Sequence, residues 1–200
     1  MEGGGEMSFT GRPLRLPARM TDDVVLLDGH VLADAEAHLA GEDAEMLRRF
    51  EAPHAATLDQ TRAAIERWIA ARAAGGPMIA YAVRAAGELV GGCELRLAGP
   101  DSVDVSYWVF PAFRGQGYAR RALTLLCQAV AGLDDVSWVE VHIDPDNLAS
   151  RRVAEAAGFV ETGVVRDPTA SGETARRLLY TLALTPEVGR YAGQRPAPPS

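Results

Sequence analysis

Two glycines and three arginines lie where an apolar segment gives way to one with helical spacing, in the stretch Phe110–Leu123, FPAFRGQGYARRAL. Glycines let a chain turn sharply and let a ligand approach the backbone closely. The unpaired amides and the positive dipole end of a following helix attract anions. Arg114, Arg120 and Arg121 can add charge-assisted hydrogen bonds. The stretch therefore indicates an anion site, and the alternative is an ordinary turn followed by a solvated basic helix.

Two nucleotide-binding loops are excluded by the residues present. A P-loop requires a Lys after its second glycine, but the sequence contains no Lys at all. A complete G-x-G-x-x-G is also absent, because Tyr118, Ala119 and Arg120 follow Gly117.

Hydrophobic periodicity predicts the elements that position this stretch. A period of two predicts strands, and apolar residues spaced by three and four predict helices. The predicted strands cover residues 24–28, 78–84, 88–97, 103–110, 136–143, 159–165 and 176–184. One or two short helices are predicted within 30–50, longer ones after the capping box Thr57–Gln60 and after Gly117, and a short one over 147–157. This order predicts a single mixed α/β layer fold.

Composition limits the organisation of the chain. A length of 200 residues that are 48% hydrophobic suits one core. We expect a flexible lead over 1–20, one domain over 21–185 and a Pro-rich, disordered tail over 186–200. No apolar run has the length of a membrane span and no secretory signal is recognisable, which predicts a cytoplasmic protein without a membrane partner. Cys93 and Cys127 lack metal-ligand spacing, so we expect reduced thiols and no metal.

The formal net charge of −7 bears on the partner. An acidic domain repels phosphate backbones, which argues against nucleic acid and leaves room for a cationic substrate. The use of Arg in place of Lys, together with the high Ala content, is typical of a GC-rich bacterial genome.

Two motifs together resemble the GCN5-related N-acetyltransferase (GNAT) superfamily. Arg114–Ala119 fits the superfamily signature [Q/R]-x-x-G-x-[G/A], and Asn147–Phe159, NLASRRVAEAAGF, resembles a segment of its RimJ/RimL-type branch. The resemblance covers roughly Val24 to Leu184. It implies an α/β (α+β) fold with a central, mixed, mostly antiparallel, splayed sheet of about seven strands and about four flanking helices. It also implies an N-acetyltransferase that uses acetyl-coenzyme A (acetyl-CoA).

The resemblance further implies a cofactor site. Backbone groups of Trp108, Val109 and Phe110 would pair with the pantetheine arm, and the N–H of Val109 or Phe110 would serve as the oxyanion donor. Asn147 would bind the pantetheine amides, or act as a simple helix N-cap, or do both. The pyrophosphate would be held by the amides of Gly115, Gln116, Gly117, Tyr118 and Ala119, with Arg114 and Arg120.

The catalytic residues are less clearly indicated. Many members of the superfamily use a Tyr as general acid at the position that Ala154 occupies here. The RimJ/RimL resemblance suggests Ser150 instead, although Ser150 can also be an ordinary small helix residue. Glu94 is our first choice of general base, since a carboxylate shielded in mid-strand is costly unless it is used or paired. The alternatives for the base are Asp104, Glu140, His142 and Glu161.

The acceptor is the least determined feature. Residues 30–76 would form the acceptor side. His30, His38 and His54 there could be ligands, but we expect ordinary positions at the helix surface. Acidic residues there suit a cationic acceptor such as a protein N-terminus, a polyamine or an aminoglycoside, or they are solvated helix faces. They are Glu42, Asp43, Glu45 and Glu51.

Two functions stay open from the sequence. One is an active N-acetyltransferase with direct attack in a ternary complex, and the other is a catalytically silent acyl-CoA-binding module. We expect a monomer or a homodimer, in which an exposed edge strand over 176–184 could pair with a second copy.

Overall fold

The fold is one eight-stranded sheet with helices on both faces. It is seen in a computed structural model that describes residues 13–52, 54–76, 78–168 and 174–184. The strands are β1 Met20–Thr21, β2 Val25–Asp28, β3 Met78–Ala85, β4 Glu88–Leu97, β5 Ser102–Val109, β6 Trp138–Ile143, β7 Val160–Pro168 and β8 Thr174–Ala183. The helices are α1 Ala35–Gly41, α2 Ala44–Arg49, α3 Leu58–Ala74, α4 Tyr118–Val130 and α5 Leu148–Ala156.

The strand order is β1-β2-β3-β4-β5-β6-β8-β7, and within the described residues every neighbouring pair except β5–β6 is antiparallel. The predicted mixed, mostly antiparallel α/β class is confirmed. The short strand β1 and the division of residues 35–49 into two helices bring the described elements to eight strands and five helices.

Local signals fix the ends of several elements. Thr57 and Gln60 form the predicted capping box, in which the Thr57 N–H donates to Gln60 Oε1 at 2.8 Å. The helix they start, α3, ends at Gly75, whose positive φ of 77° suits a glycine. Ala86 and Gly87 both have positive φ, as a two-residue hairpin turn between β3 and β4 requires.

Alternate residues of β5 face two separate hydrophobic clusters. Val103 and Val105 pack in the main core with apolar residues of α4. Trp108 lies on the opposite face, since side chains alternate along a strand, and packs there with Met46 of α2. The sheet therefore has an α4–α5 face and an α2 face, and β5 contributes side chains to both.

The parallel pair β5–β6 separates after a few residues. Its pairing runs from Ser102–Trp138 to Asp104–Glu140, and within the described residues no pair follows. Both strands nevertheless continue, β5 to Val109 and β6 to Ile143. The sheet is therefore splayed between them, as the resemblance implied.

Two sequence predictions need correction. The strand over 176–184 is not an edge, because β8 lies between β6 and β7, and β7 occupies the edge instead. The lead predicted over 1–20 is too long, because Leu14 is only 3% exposed and donates its N–H to the Gly75 carbonyl at 2.8 Å. The predicted tail over 186–200 lies outside the described residues. Within the described part of the chain, no helix has both the length and the apolar character of a membrane span.

Candidate active site

A cleft of about 680 Å³ runs along the gap between β5 and β6 and opens on both faces of the sheet. The part on the α4–α5 face, lined by Gly115, Gly117, Asn147 and Ser150, is called the cofactor half. The part on the α2 face is called the acceptor half, and its lining includes Met46, Phe50, Glu51, Glu94, Trp108 and His142.

The turn before α4 presents a series of backbone amides to the cofactor half. Gly115 and Gly117 have φ of 78° and 81°, in the left-handed region, and a Cβ at either position would meet open space. The first intrahelical bond is from the Arg121 N–H to the Gly117 carbonyl at 3.1 Å. Among the described residues, no backbone acceptor is found for the amides of residues 115–120. This arrangement suits an anion such as a pyrophosphate.

The three arginines of this turn differ in their ion-pair partners. Arg114 forms a bidentate ion pair with Asp43 of 2.7 and 3.0 Å, and its Nε donates to the Val109 carbonyl. Arg121 is paired with Asp22 at 2.6 Å. Arg120 is exposed at the cleft, and no ion pair with it is found in the described part of the chain. Arg120 is therefore the cation of this turn that is most available to a bound anion.

The β5 backbone faces the cleft only at alternate residues. The Phe110 N–H donates to the Val90 carbonyl at 2.9 Å, on the β4 side. Since peptide groups alternate in direction along a strand, Trp108 also faces β4, whereas Tyr107 and Val109 face the gap. The predictions of Phe110 as oxyanion donor, and of Trp108 and Phe110 as backbone partners of pantetheine, are corrected on this ground. Phe110 is moreover buried, at 2% exposed.

Asn147 and Ser150 begin α5 beside the gap. Asn147 Oδ1 accepts the Ser150 N–H at 3.0 Å, so Asn147 is the N-cap of this helix, and its side-chain NH₂ group is left to bind other partners. Ala154, at the position where a Tyr acid would be expected, is fully buried in the core. Of these residues, Ser150 places a hydroxyl at the cleft.

Tyr107 lies outside both sequence motifs, yet it contacts Ser150 directly. Its hydroxyl lies 2.8 Å from Ser150 Oγ and 3.1 Å from the Ser150 carbonyl oxygen. Burial raises the pKa of Tyr107 to about 12, so the phenol is a neutral donor. The sequence carries one signal for this contact. Tyr107 alternates with Val103 and Val105 on the core face of β5, and a buried phenol needs a hydrogen-bond partner.

Glu94 is a weakly paired carboxylate in the acceptor half. Its side chain is 17% exposed, and the nearest cation atom, Arg96 Nη1, is 3.9 Å away. Burial raises the pKa of Glu94, while the charge of Arg96 opposes the rise. Arg96 instead donates to Asp104 at 2.8 Å. A shielded carboxylate with a raised pKa has the character of a general base.

The other candidate bases are ion-paired or lie outside the cleft. His142 Nδ1 lies 2.9 Å from Asp167, and its Nε2 lies 3.8 Å from Glu140. Burial opposes a charge on His142, but these carboxylates outweigh it and raise the pKa of His142 to about 8. His142 is therefore mostly protonated at neutral pH, and its Nδ1 is held by Asp167. Glu161 accepts a hydrogen bond from Tyr180, and Asp104, Glu140 and Glu161 do not line the cleft.

Helix α2 forms the wall of the acceptor half and is joined to both sides of the gap. Asp43, its N-cap, pairs with Arg114 in the loop after β5. Arg49 pairs at 3.0 Å with Asp144 in the loop after β6, and Arg48 pairs at 3.1 Å with Asp146. This network holds α2 across the end of the gap.

Two of the three histidines predicted at the surface are buried instead. His30 and His38 are 5% and 8% exposed, and their rings lie 4.8 and 5.6 Å from that of Trp68. Burial lowers the pKa of His38 to about 4, so its ring is neutral. His54 is exposed as expected. His30 and His38 pack with Trp68 and Trp108 in one group of rings, here called the aromatic layer, in which the ring of Trp108 lies 6.1 Å from that of His38.

Comparison with known families decides the classification. Residues 25–160 match the model of the "Acetyltransferase (GNAT) domain" family, which is more than half of the chain. The chain belongs to the GNAT acetyltransferase family. The predicted superfamily and enzyme class are thereby confirmed.

Individual relatives of this GNAT chain agree with that result. An uncharacterized N-acetyltransferase, YycN of Bacillus subtilis (strain 168), is 34% identical over 59 residues, which are 30% of this chain and 37% of that protein. RimJ of Mycobacterium smegmatis, solved with CoA-disulfide, has a TM-score of 0.69 at 23% identity and covers 86% of each chain. RimL, a ribosomal L7/L12 α-N-protein acetyltransferase solved with coenzyme A, has a TM-score of 0.66 at 17% identity, over 84% of this chain and 97% of that one. Both RimJ and RimL share the fold of this GNAT domain.

Proposed function

We propose that this GNAT domain transfers the acetyl group of acetyl-CoA to a primary amine by direct attack in a ternary complex. The amine is that of a protein N-terminus or of a small molecule such as a polyamine or an aminoglycoside. The observation that carries the proposal is the cleft between β5 and β6, which joins an amide-lined turn on one face of the sheet to Glu94 on the other. Donor and acceptor can therefore meet in the gap.

The cofactor half would hold the coenzyme A portion of the donor. The amides of Gly115 to Ala119, which include that of Gln116, and the side chain of Arg120 would bind the pyrophosphate. Arg114 would order the same loop through its bonds to Asp43 and the Val109 carbonyl. The backbones of Tyr107 and Val109 would pair with the pantetheine arm, with the Asn147 side chain as a further partner.

The acceptor half would deprotonate the amine. An α-amino group has an ordinary pKa near 8 and a lysine-like amine near 10, so either must lose a proton before attack. Glu94 can accept that proton, because burial raises its pKa and so makes it a stronger base than an exposed carboxylate. Glu45 and Glu51 also line the cleft, where Glu45 pairs with Arg48 and Arg49 and Glu51 pairs with Arg177.

Two groups would stabilise the charges that develop during transfer. The Val109 N–H faces the gap and would donate to the oxyanion of the tetrahedral intermediate. Ser150 would donate a hydrogen bond to the departing thiolate. The ammonium group loses its first proton to Glu94 before attack, and Glu94 passes it to solvent. The acetyl carbon then forms its bond to nitrogen and loses its bond to sulfur, whose electron pair leaves with the thiolate, and the nitrogen releases its second proton by the same route.

A thiol-release assay with a panel of amines tests the proposal. Peptides with free N-termini, aminoglycosides, polyamines and amino acids are each added with acetyl-CoA, and binding of acetyl-CoA is measured separately by calorimetry. We expect release with at least one amine class, and a fall of about 10- to 100-fold in kcat for Ser150→Ala at unchanged acetyl-CoA affinity. Binding without release for every amine would replace the proposal with the silent acyl-CoA-binding module.

Location and assembly complete the proposal. Cys93 and Cys127 are free, buried thiols, which suits a reducing compartment such as the bacterial cytoplasm. We propose a monomer or a homodimer, and in a homodimer β7 is an edge strand that could pair with a second copy. Light scattering coupled to size-exclusion chromatography distinguishes the two states.

A further inference from the structure

We infer that Tyr107 is a positioning residue that directs the Ser150 hydroxyl hydrogen towards the sulfur of the departing thiolate. The inference rests on the proposed function and extends it to a residue that forms no part of the two sequence motifs. Tyr107 and Ser150 are 43 positions apart in the chain, on β5 and α5. Their side chains meet where β5 has already separated from β6.

Hydrogen-bond donors and acceptors determine what the pair can do. A neutral phenol has one hydrogen to donate. The Ser150 carbonyl at 3.1 Å can only accept it, whereas the Ser150 hydroxyl at 2.8 Å can either accept it or donate its own hydrogen to the phenol oxygen. A thiolate in the cleft would accept the Ser150 hydrogen and so select the arrangement in which Tyr107 donates to Ser150 Oγ. When Tyr107 donates to Ser150 Oγ, the Ser150 hydroxyl keeps its own hydrogen for a third partner. Both residues line the cleft, so that third partner is a group bound there.

Without Tyr107 the Ser150 hydroxyl has a competing use. A serine in the first turn of a helix can turn its hydroxyl to a backbone carbonyl of the preceding residues. The bond to Asn147 fixes the Ser150 backbone N–H, so the freedom that remains to the side chain is rotation about its Cα–Cβ and Cβ–Oγ bonds. Tyr107 is well suited to limit that rotation, because its ring packs against the main core and its strand is paired with β4 through Cys93.

The chemical consequence concerns only the second half of the transfer. As the tetrahedral intermediate collapses, the electron pair of the C–S bond moves onto sulfur. A thiol of this kind has a pKa near 8.5, so the thiolate can leave with a hydrogen bond from Ser150 and take its proton from water later. An oriented donor lowers the barrier for this step without changing how tightly acetyl-CoA binds in its ground state.

A double-mutant cycle tests the inference with Tyr107→Phe, Ser150→Ala and the combined variant. Tyr180→Phe is the matched control, since the Tyr180 hydroxyl also binds neighbouring side chains but does not line the cleft. We expect Tyr107→Phe to lower kcat about 3- to 10-fold, as for one lost hydrogen bond. The KM for acetyl-CoA stays within about twofold, and the change is absent when Ser150 is already Ala.

Three outcomes would overturn the inference. The first is an unchanged kcat for Tyr107→Phe, and the second is a loss of equal size in the presence and absence of the Ser150 hydroxyl. The third is a loss that appears in the KM for acetyl-CoA or in the melting temperature rather than in kcat, which would mark a merely structural role. A wild-type protein that turns over no amine would overturn the proposed function as well, so the two failures are distinguishable.

Discussion

The two halves of the cleft are built in different ways. The cofactor half uses backbone amides and short-range caps, namely the turn Arg114–Gly117 before α4 and the Asn147–Ser150 contact that begins α5. The acceptor half uses side chains that are brought together from distant parts of the chain. Its ion pairs include Glu51–Arg177, whose members are 126 positions apart, and Arg49–Asp144, which are 95 apart.

This difference has a physical cause and a functional meaning. A pyrophosphate presents the same charges whatever the acceptor is, and backbone amides bind it through geometry that a few glycines secure. An acceptor differs between enzymes of one fold, so its binding surface is assembled from variable side chains. We therefore expect substitutions in the two halves to separate into effects on donor binding and effects on the acceptor or on chemistry.

The largest expected effect is that of Glu94→Gln in the acceptor half. Removal of the base lowers kcat by about 10²- to 10⁴-fold, because the amine must then lose its proton to water. The affinity for acetyl-CoA stays unchanged, as measured by calorimetry. Glu88→Gln, an exposed residue of the same strand, is the control and should behave as wild type.

A pH–rate profile sharpens the assignment of Glu94. In the wild type, the lower-pH limb reflects loss of the carboxylate, and its midpoint lies above that of an ordinary glutamate, since burial raises the pKa of Glu94. The Glu94→Gln variant should lack this limb. A variant that keeps the limb would remove Glu94 from the role of base.

The next effect concerns stability in the acceptor half. The pKa of His142 is about 8 in the folded protein, above its ordinary 6.5, owing to Glu140 and Asp167 despite the opposing effect of burial. The resulting stabilisation is fully present below pH 6.5 and is lost as the pH rises through 8. Its size is roughly 2 kcal/mol, from about 1.4 kcal/mol per pH unit of pKa difference.

Urea unfolding at pH 6 and pH 9 measures this contribution. The difference in unfolding free energy between wild type and His142→Gln should shrink by that amount at the higher pH. His54→Gln, at an exposed position, should show no such pH dependence. An equal dependence in both variants would contradict the assignment to His142.

Gly117→Ala tests the cofactor half. A left-handed φ costs an ordinary residue about 1–2 kcal/mol, so the turn either remains strained or moves its amides. We expect acetyl-CoA to bind about tenfold more weakly, with kcat at saturation nearly unchanged. Gly87→Ala is a matched control, because Gly87 has a φ of 85° and open space at Cβ but lies in the distant β3–β4 hairpin. It should lower stability without affecting the affinity for acetyl-CoA.

The smallest effect is expected where the two halves are joined. Asp43→Asn keeps the N-cap of α2 but removes the charge that Arg114 binds, in a pair whose side chains are 28% and 41% exposed. Such pairs contribute less than about 1 kcal/mol to stability. We expect the KM for the acceptor to rise about two- to fivefold, while the affinity for acetyl-CoA changes less than twofold because the bond from Arg114 to the Val109 carbonyl still orders the loop. Asp59→Asn, in an exposed pair on α3, is the control.

Much of the fold could be predicted because its signals are local. The Thr57–Gln60 capping box, the Ala86–Gly87 turn and the alternation along β5 each follow from neighbouring residues, and the structure contains all three. The prediction of an edge strand over 176–184 is wrong because strand order depends on contacts between distant segments, and periodicity carries no information about those contacts. His30 and His38 were misplaced for a similar reason, since the aromatic layer that covers them comes from α3 and β5.

Local signals in the sequence predict the family, the order of the elements apart from the short strand β1, and the amide turn at Arg114–Gly117, because glycine positions and short motifs act through the local backbone. Which backbone groups face the gap depends instead on how β5 pairs with β4, and that pairing excludes Phe110 as the oxyanion donor. The approach of α5 to β5 brings Tyr107 to Ser150, and the packing of the strands leaves Glu94 only weakly paired with Arg96 at 3.9 Å while Asp104 and His142 have closer partners. Each of those facts depends on how separate strands and helices approach one another, and that approach is fixed by packing of the whole domain.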